Sequence, residues 1–365
     1  MAGTPARASM SDPGRGSDRA VIAFDGLGAE SGPDVVVEGV ARAAADGIGV
    51  RVFGRAAELS PLTEIPDVEV IEAKELIGNN EDPAAAVRSR PGASIVMAAA
   101  DVAAGYADGL ASPGATGATL AASVFALKRL KGVQRPALAV QLPAPGLERP
   151  VVLLDAGANS EARASHLIQF AFLGSAFAAS ALGVERPRVA LLSVGAEAKK
   201  GNESTVEAHR ALLEATTIEF IGNVEGRDLL SGAADVVVTD GFTGNIALKT
   251  LEGTAGAVGD AVGRAARSGP RSALGGLLLR PALGGLRREM DPDSTGGAIM
   301  LGLRAVAVVG HGSAGPEGIA NQIRLAARAV RESSVDRIAT LLAVSGAGRG
   351  ALRAEAEPGS GTESA

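Results

Sequence analysis

Six short clusters of glycine and polar residues each follow a short apolar run. They are Asp25-Gly26-Leu27-Gly28, Ser112-Pro113-Gly114-Ala115-Thr116-Gly117 and Asp155-Ala156-Gly157-Ala158-Asn159. The others are Ser193-Val194-Gly195-Ala196-Glu197 leading to Lys199-Lys200-Gly201-Asn202, then Asp240-Gly241-Phe242-Thr243-Gly244-Asn245, and Gly310-His311-Gly312-Ser313. Glycine lets backbone N–H groups turn toward a ligand and come close to it. A helix that follows adds unpaired N–H groups and a positive end. Such loops suit phosphate or carboxylate. One of them alone is an ordinary strand-to-helix turn. Six of them, five carrying Asp, Asn or His, point to a shared anionic site.

The elements around the clusters alternate. Apolar, β-branched runs predict strands at 20–24, 50–53, 68–71, 107–111, 151–154, 189–194, 218–221, 236–239 and 305–309. Helical patterns begin at Pro33 and at Asp82-Pro83, occupy 117–130, 165–182 and 203–215, run on from Gly244, and return at 319–330. Strands apolar on both faces, alternating with helices, imply a doubly wound α/β unit. Its sheet is mostly parallel, with helices on both faces. In such a sheet all six loops would leave the carboxyl edge, where open α/β sheets bind ligands.

Composition excludes several chemistries. The 365 residues include no Cys and only three His, so neither a thiolate metal site nor a cysteine nucleophile exists. His166, His209 and His311 are far apart, and no metal cluster is expected. A net charge of −6 argues against nucleic-acid binding. The Walker phosphate loop, the dinucleotide fingerprint, the G-x-S-x-G elbow and H-E-x-x-H are all missing. Residues 1–19 and 344–365 are rich in Gly, Ser, Ala and charge, and read as disordered tails around a folded unit at 20–343. No secretory signal or uncharged span is visible, so a cytoplasmic location is expected.

In this order the loops resemble the acyl-[acyl-carrier-protein]:phosphate acyltransferases of the PlsX type. The telling stretches are Leu153-Leu154-Asp155-Ala156-Gly157-Ala158-Asn159, Lys200-Gly201-Asn202-Glu203 and the block 220–252 (FIGNVEGRDLLSGAADVVVTDGFTGNIALKTLE). Gly296-Gly297-Ala298, Leu301-Gly302 and Gly310-His311-Gly312-Ser313 add to them. The resemblance implies transfer of a long-chain acyl group from acyl carrier protein to inorganic phosphate, without a cofactor. The acyl phosphate would feed a membrane glycerol-3-phosphate acyltransferase. It also implies a homodimer and a fold similar to phosphotransacetylases and isocitrate/isopropylmalate dehydrogenases.

The residue chemistry agrees with that implication. Phosphate is itself a nucleophile, so the protein has to position the reactants and stabilise charge. Lys200 could neutralise phosphate. Asn159, Asn202 and Asn245 could donate hydrogen bonds, and a protonated His311 could assist phosphate or the leaving thiolate. Lys200, His311, Asn245 and Asn159 are thus the catalytic candidates. The binding candidates are Asp25, Gly26, Ser112, Thr116, Gly117, Asp155, Gly157, Gly201, Asn202, Asp240, Gly244, Gly312 and Ser313. Two other readings fit the same loops: a short-chain acyl-CoA phosphotransacylase, and a catalytically weak scaffold or regulator.

The chain departs from the family's pattern at Gly28-Ala29-Glu30, at Ala115, which stands where an Asn is usual, and at Gly195-Ala196-Glu197. A helical hairpin insert is expected at about 245–290. Its Leu274, Leu277, Leu278 and Leu279 form an apolar cluster flanked or interrupted by Arg271, Arg280, Arg287 and Arg288. Pro281 and the charges exclude a span. A dimer contact and a peripheral membrane contact both suit it.

Overall fold

The computed structural model describes residues 19–144, 146–289 and 292–344. The expected tails, 1–19 and 344–365, lie outside the described residues except for Arg19 and Val344. In chain order the first elements are β1 (Val21–Asp25), α1 (Pro33–Ala45), β2 (Gly49–Gly54), β3 (Val68–Glu72), α2 (Pro83–Ser89), α3 (Ser94–Ala103) and β4 (Gly109–Ser112). Next come α4 (Thr116–Leu127), β5 (Ala137–Leu142), β6 (Val151–Leu154), α5 (Ala164–Ala181), β7 (Arg188–Leu192), α6 (Glu203–Leu213), β8 (Glu219–Val224) and β9 (Val236–Val238). The chain ends with α7 (Gly241–Ala266), α8 (Pro270–Glu289), β10 (Ala298–Leu301), β11 (Val306–Val309), α9 (Pro316–Arg331) and α10 (Ser334–Val344).

Successive strand residues face opposite sides, so each strand feeds two cores. Ile22 and Phe24 enter one core with Val36 and Val40 of α1, Ile319 of α9 and Phe170 of α5. Ala23 enters another with Ile95 of α3 and Ala118 of α4. In the later half, Val152 and Leu154 join the first core, while Val151 and Leu153 face a third that α7 covers with Ala247, Leu248 and Leu251. Helices therefore cover both faces. Helix α5 is apolar and long enough to cross a membrane by length and composition. Fourteen of its 18 residues are buried, however, among the sheet, α6 and α10.

One sheet of 11 strands runs in the order β3-β2-β1-β4-β11-β10-β5-β6-β9-β7-β8. Seven of its ten pairings are parallel. The three antiparallel ones, β11 with β10, β10 with β5 and β5 with β6, lie together in the middle. Three reversals leave β6, β7, β8 and β9 running opposite to β1–β4 and β11. The expectation of one shared carboxyl edge is therefore corrected. The first half presents its strand-end loops at one edge and the second half presents them at the other.

Candidate active site

At the second half's edge, Asp155 follows β6 and is fully buried. Its carboxylate accepts the N–H groups of Leu138, Gly157, Ala158 and Asn159 and the side-chain amide of Asn159, at 2.7–3.2 Å. Burial pushes this carboxyl above its ordinary value, against the pull of these donors. The Asn159 amide also donates to the Pro136 carbonyl at 2.8 Å, so this residue holds the loop.

The start of α7 is pressed onto that loop. Asp240 caps the helix, accepting the Thr243 N–H and hydroxyl at 2.8 Å each. Gly241 donates to the Asn159 carbonyl at 2.7 Å. A Cβ on Gly241 would stand 2.6 Å from that carbonyl oxygen, and one on Gly244 would overlap the Asp155 carbonyl. Only glycine fits here, and the close approach sets the exposed Asn245 against Gly157. The first turn of α7 thus spends its Gly241 and Thr243 N–H groups on Asn159 and Asp240, and the Asn245 amide is the exposed polar group beside the 155–159 loop.

The neighbouring loop, after β7, carries Lys200, which is exposed with its stem packed over Gly195. Asn202 caps α6 by accepting the Thr205 N–H and hydroxyl at 2.9 Å. Gly201 before it has φ +111°. Buried His209 supports the loop from beneath: its Nδ1 lies 2.9 Å from Asn223 Oδ1, and Asn223 donates to the Glu197 carbonyl at 3.0 Å. His166 also serves structure, with its Nδ1 accepting the Arg163 N–H at the start of α5. Burial holds it below its ordinary 6.5, helped by the charges of Arg135 and Arg163.

At the first half's edge, Asp25 is buried at the end of β1. It accepts the Ser94 hydroxyl at 2.5 Å and the Ser112 hydroxyl at 2.8 Å. Burial raises this carboxyl above its ordinary 3.8, opposed by those hydroxyls and by the N–H groups of Gly28 and Leu27. The Ser112 hydroxyl accepts from Gly114 N–H at 3.0 Å and Thr119 at 3.1 Å. Gly28 packs so close to Gly114 that a Cβ would stand 2.6 Å from its nitrogen. Gly26 donates to the Phe53 carbonyl, and Gly117 lies against Pro83. Thr116 and Ser313 are exposed, while His311 and Gly312 are half-buried. Glu30 N–H donates to the Gly312 carbonyl at 2.8 Å, joining this loop to the one after β1.

The candidates thus form two groups. Asp155, Gly157, Asn159, Asp240, Gly244 and Asn245 meet at one edge, with Lys200, Gly201 and Asn202 in the adjacent strand's loop. Asp25, Gly26, Ser112, Thr116, Gly117, His311, Gly312 and Ser313 gather at the other. Helix α7 links them, because Glu252 lies beside His311, with Oε1 3.8 Å from Nε2. Ser94 and Glu252 join these groups although no sequence motif marks their role. Ser94 begins a helix otherwise of Ala, Val, Ile and Met, with Asp101 two turns on and no polar motif to mark it. Glu252 lies inside the 220–252 block, but only the fold brings it to His311. Among the described residues, no group of three or more His, Asp or Glu could hold a metal ion.

Helices α7 and α8 pack together as a hairpin. Leu274, Leu277, Leu278 and Leu279 are 57–74% exposed along α8, and Arg271 and Arg280 are exposed beside them. The side chains of Arg287 and Arg288 lie outside the described residues.

Residues 20–337 match a family described as "Fatty acid synthesis protein". The chain is 42% identical over 320 residues to the phosphate acyltransferase of Geobacillus thermodenitrificans, covering 87% of this chain and 97% of that one. It is 42% identical over 308 residues to the phosphate acyltransferase of Enterococcus faecalis, covering 83% and 92%. Among solved structures, a branched-chain phosphotransacylase from Enterococcus faecalis has a TM-score of 0.56 at 17% identity, over 85% of this chain and 99% of that one. The EutD phosphotransacetylase from Staphylococcus aureus has a TM-score of 0.53 at 18% identity, over 85% and 94%. At these identities the structural likeness shows the fold.

Proposed function

The chain belongs to the phosphate acyltransferase family, acyltransferases of fatty acid and phospholipid synthesis, and we propose that its donor is a long-chain acyl thioester of acyl carrier protein. The acceptor is inorganic phosphate. A phosphate oxygen attacks the thioester carbonyl, the carbon–sulfur bond breaks, and the thiol leaves with a proton. No cysteine is available to hold the acyl group, which supports direct displacement.

The observation that carries this reading is the junction of α7 with the 155–159 loop. It presents the exposed Asn245 amide at the first turn of α7, next to the loop of Lys200. Phosphate is placed there, neutralised by Lys200 and hydrogen-bonded by Asn245. His311, at the far side of α7, serves the leaving sulfur. The protein acts as a homodimer in the cytoplasm. Its α8 leucines touch the membrane reversibly, and the acyl phosphate passes to a glycerol-3-phosphate acyltransferase in that membrane.

The test is acyl transfer by purified protein, with long-chain acyl carrier protein and short-chain acyl-CoA supplied side by side. Phosphate-dependent consumption of the first is expected, with no labelled acyl-protein when phosphate is withheld. Lys200→Ala and Asn245→Ala should each lower turnover at least tenfold, roughly the loss of one transition-state contact, while leaving the fold intact. Preference for acyl-CoA would make the protein a short-chain phosphotransacylase. No transfer from either donor would leave a scaffold.

A further inference from the structure

Helix α7 carries Asn245, Lys249 and Glu252 at i, i+4 and i+7, which share one helical face. Asn245 stands at one edge of the sheet. Glu252 stands about 10 Å further along the axis, at the loop of the other edge. The two oxygens of Glu252 differ. Oε2 accepts from Lys249 Nζ at 2.7 Å. Oε1 is buried without a hydrogen-bond partner and lies 3.8 Å from His311 Nε2. A buried carboxylate oxygen left unpaired is costly, and an approach of about 1 Å would bring the imidazole N–H to it.

We propose that Glu252 is the positioning residue for His311, its Oε1 accepting from the Nε2–H so that Nδ1 is left for the leaving sulfur. A carboxylate behind one ring nitrogen fixes the tautomer and the ring's orientation, and stabilises the imidazolium when it forms. The other charges around the pair are Lys249, which holds Glu252, and Glu30, whose carboxyl group packs on Gly312. The chemical role rests on the phosphate acyltransfer reading; the geometry does not. His311, resting with its proton on Nε2, first takes a second proton on Nδ1 from solvent, and the imidazolium sits against Glu252. As the phosphate oxygen bonds to the acyl carbon, the sulfur takes the carbon–sulfur electron pair and the Nδ1 proton, phosphate releases its own proton to solvent, and the ring returns to the neutral Nε2–H form.

With three histidines in the full chain, their imidazole nitrogens are separable by NMR and assignable with single His→Gln variants. In the resting protein, neutral His311 is expected to carry its proton on Nε2. Glu252→Ala should mix the tautomers and lower kcat about tenfold or more, with KM for phosphate within about twofold. Glu252→Gln, nearly isosteric and still an acceptor, should keep the tautomer and give an intermediate kcat. Adding Glu252→Ala to His311→Gln should slow the enzyme little beyond His311→Gln alone. A resting proton on Nδ1, variants with unchanged tautomer and kcat, or fully multiplicative losses would each overturn the pairing. Wild-type protein that fails to acylate phosphate would sink the functional reading, while the tautomer measurement would still decide the pairing.

Discussion

Asp25 and Asp155 do matching jobs in opposite halves of the sheet. Each stands at a strand's carboxyl end, is buried, and gathers donors from the loop it begins and from a distant segment. Both were legible as loop residues. That their carboxylates tie loops together was not, because Ser94 is 69 residues from Asp25 and only the fold joins them. Folding favours protonated Asp25, since burial raises its folded value above the ordinary 3.8. That contribution is fully present below the unfolded value and is lost as pH rises through the folded one. Asp25→Asn should therefore gain on wild type in thermal unfolding as pH rises from about 4. A gap that does not change with pH would refute this. Ala115 is the N-cap of α4 and makes no side-chain cap bond. Ala115→Asn should add about 1 kcal/mol by capping that helix, measured by denaturant titration, and should preserve activity.

At the scale of elements, most of the alternating strands and helices follow directly from apolar runs and capping residues. Neither β5 and β10 nor α3 and α10 are marked in this way. Residues 137–142 are enclosed by Pro136 and Pro143, while 298–301 is four residues after a glycine pair, so neither stands out as a strand. Those two strands contain every reversal of the sheet, so the remaining strands alone imply a single carboxyl edge. The glycines of the 240–245 motif are likewise visible in sequence, but their purpose is a contact between elements. Gly244→Ala would drive its methyl into the Asp155 carbonyl and lift α7 from the 155–159 loop. Overpacking of this kind typically costs about 1–3 kcal/mol. Turnover should fall with stability in this variant, whereas Asn245→Ala should lower turnover alone. Parallel melts and assays separate the two.

The whole molecule is two parallel half-sheets running in opposite directions, with a hairpin of leucine and arginine extending from the second. Full burial of a leucine contributes about 1.5–3 kcal/mol. An arginine at an anionic surface adds about 1 kcal/mol. Incomplete burial offsets much of this, so membrane binding should be weak and salt-sensitive. If the proposed membrane contact holds, replacing Leu277, Leu278 and Leu279 together with Ser should release the protein from anionic liposomes in flotation without changing its oligomeric state. Collapse to monomers would assign these side chains to the subunit interface, and unchanged flotation would clear the hairpin of both roles. Helix α7 has a mechanical consequence of its own. Its first turn is clamped by Gly241 and Gly244, Glu252 lies about 16 Å along it, and its last residue about 37 Å along it. Between the clamp and Glu252, Ala247, Leu248 and Leu251 hold the helix to the third core, so the anchored part ends beside Glu252 and the rest is a free arm. A pull on the hairpin would reach Glu252, about 1 Å short of a hydrogen bond with His311, before it reached the clamp at the other edge.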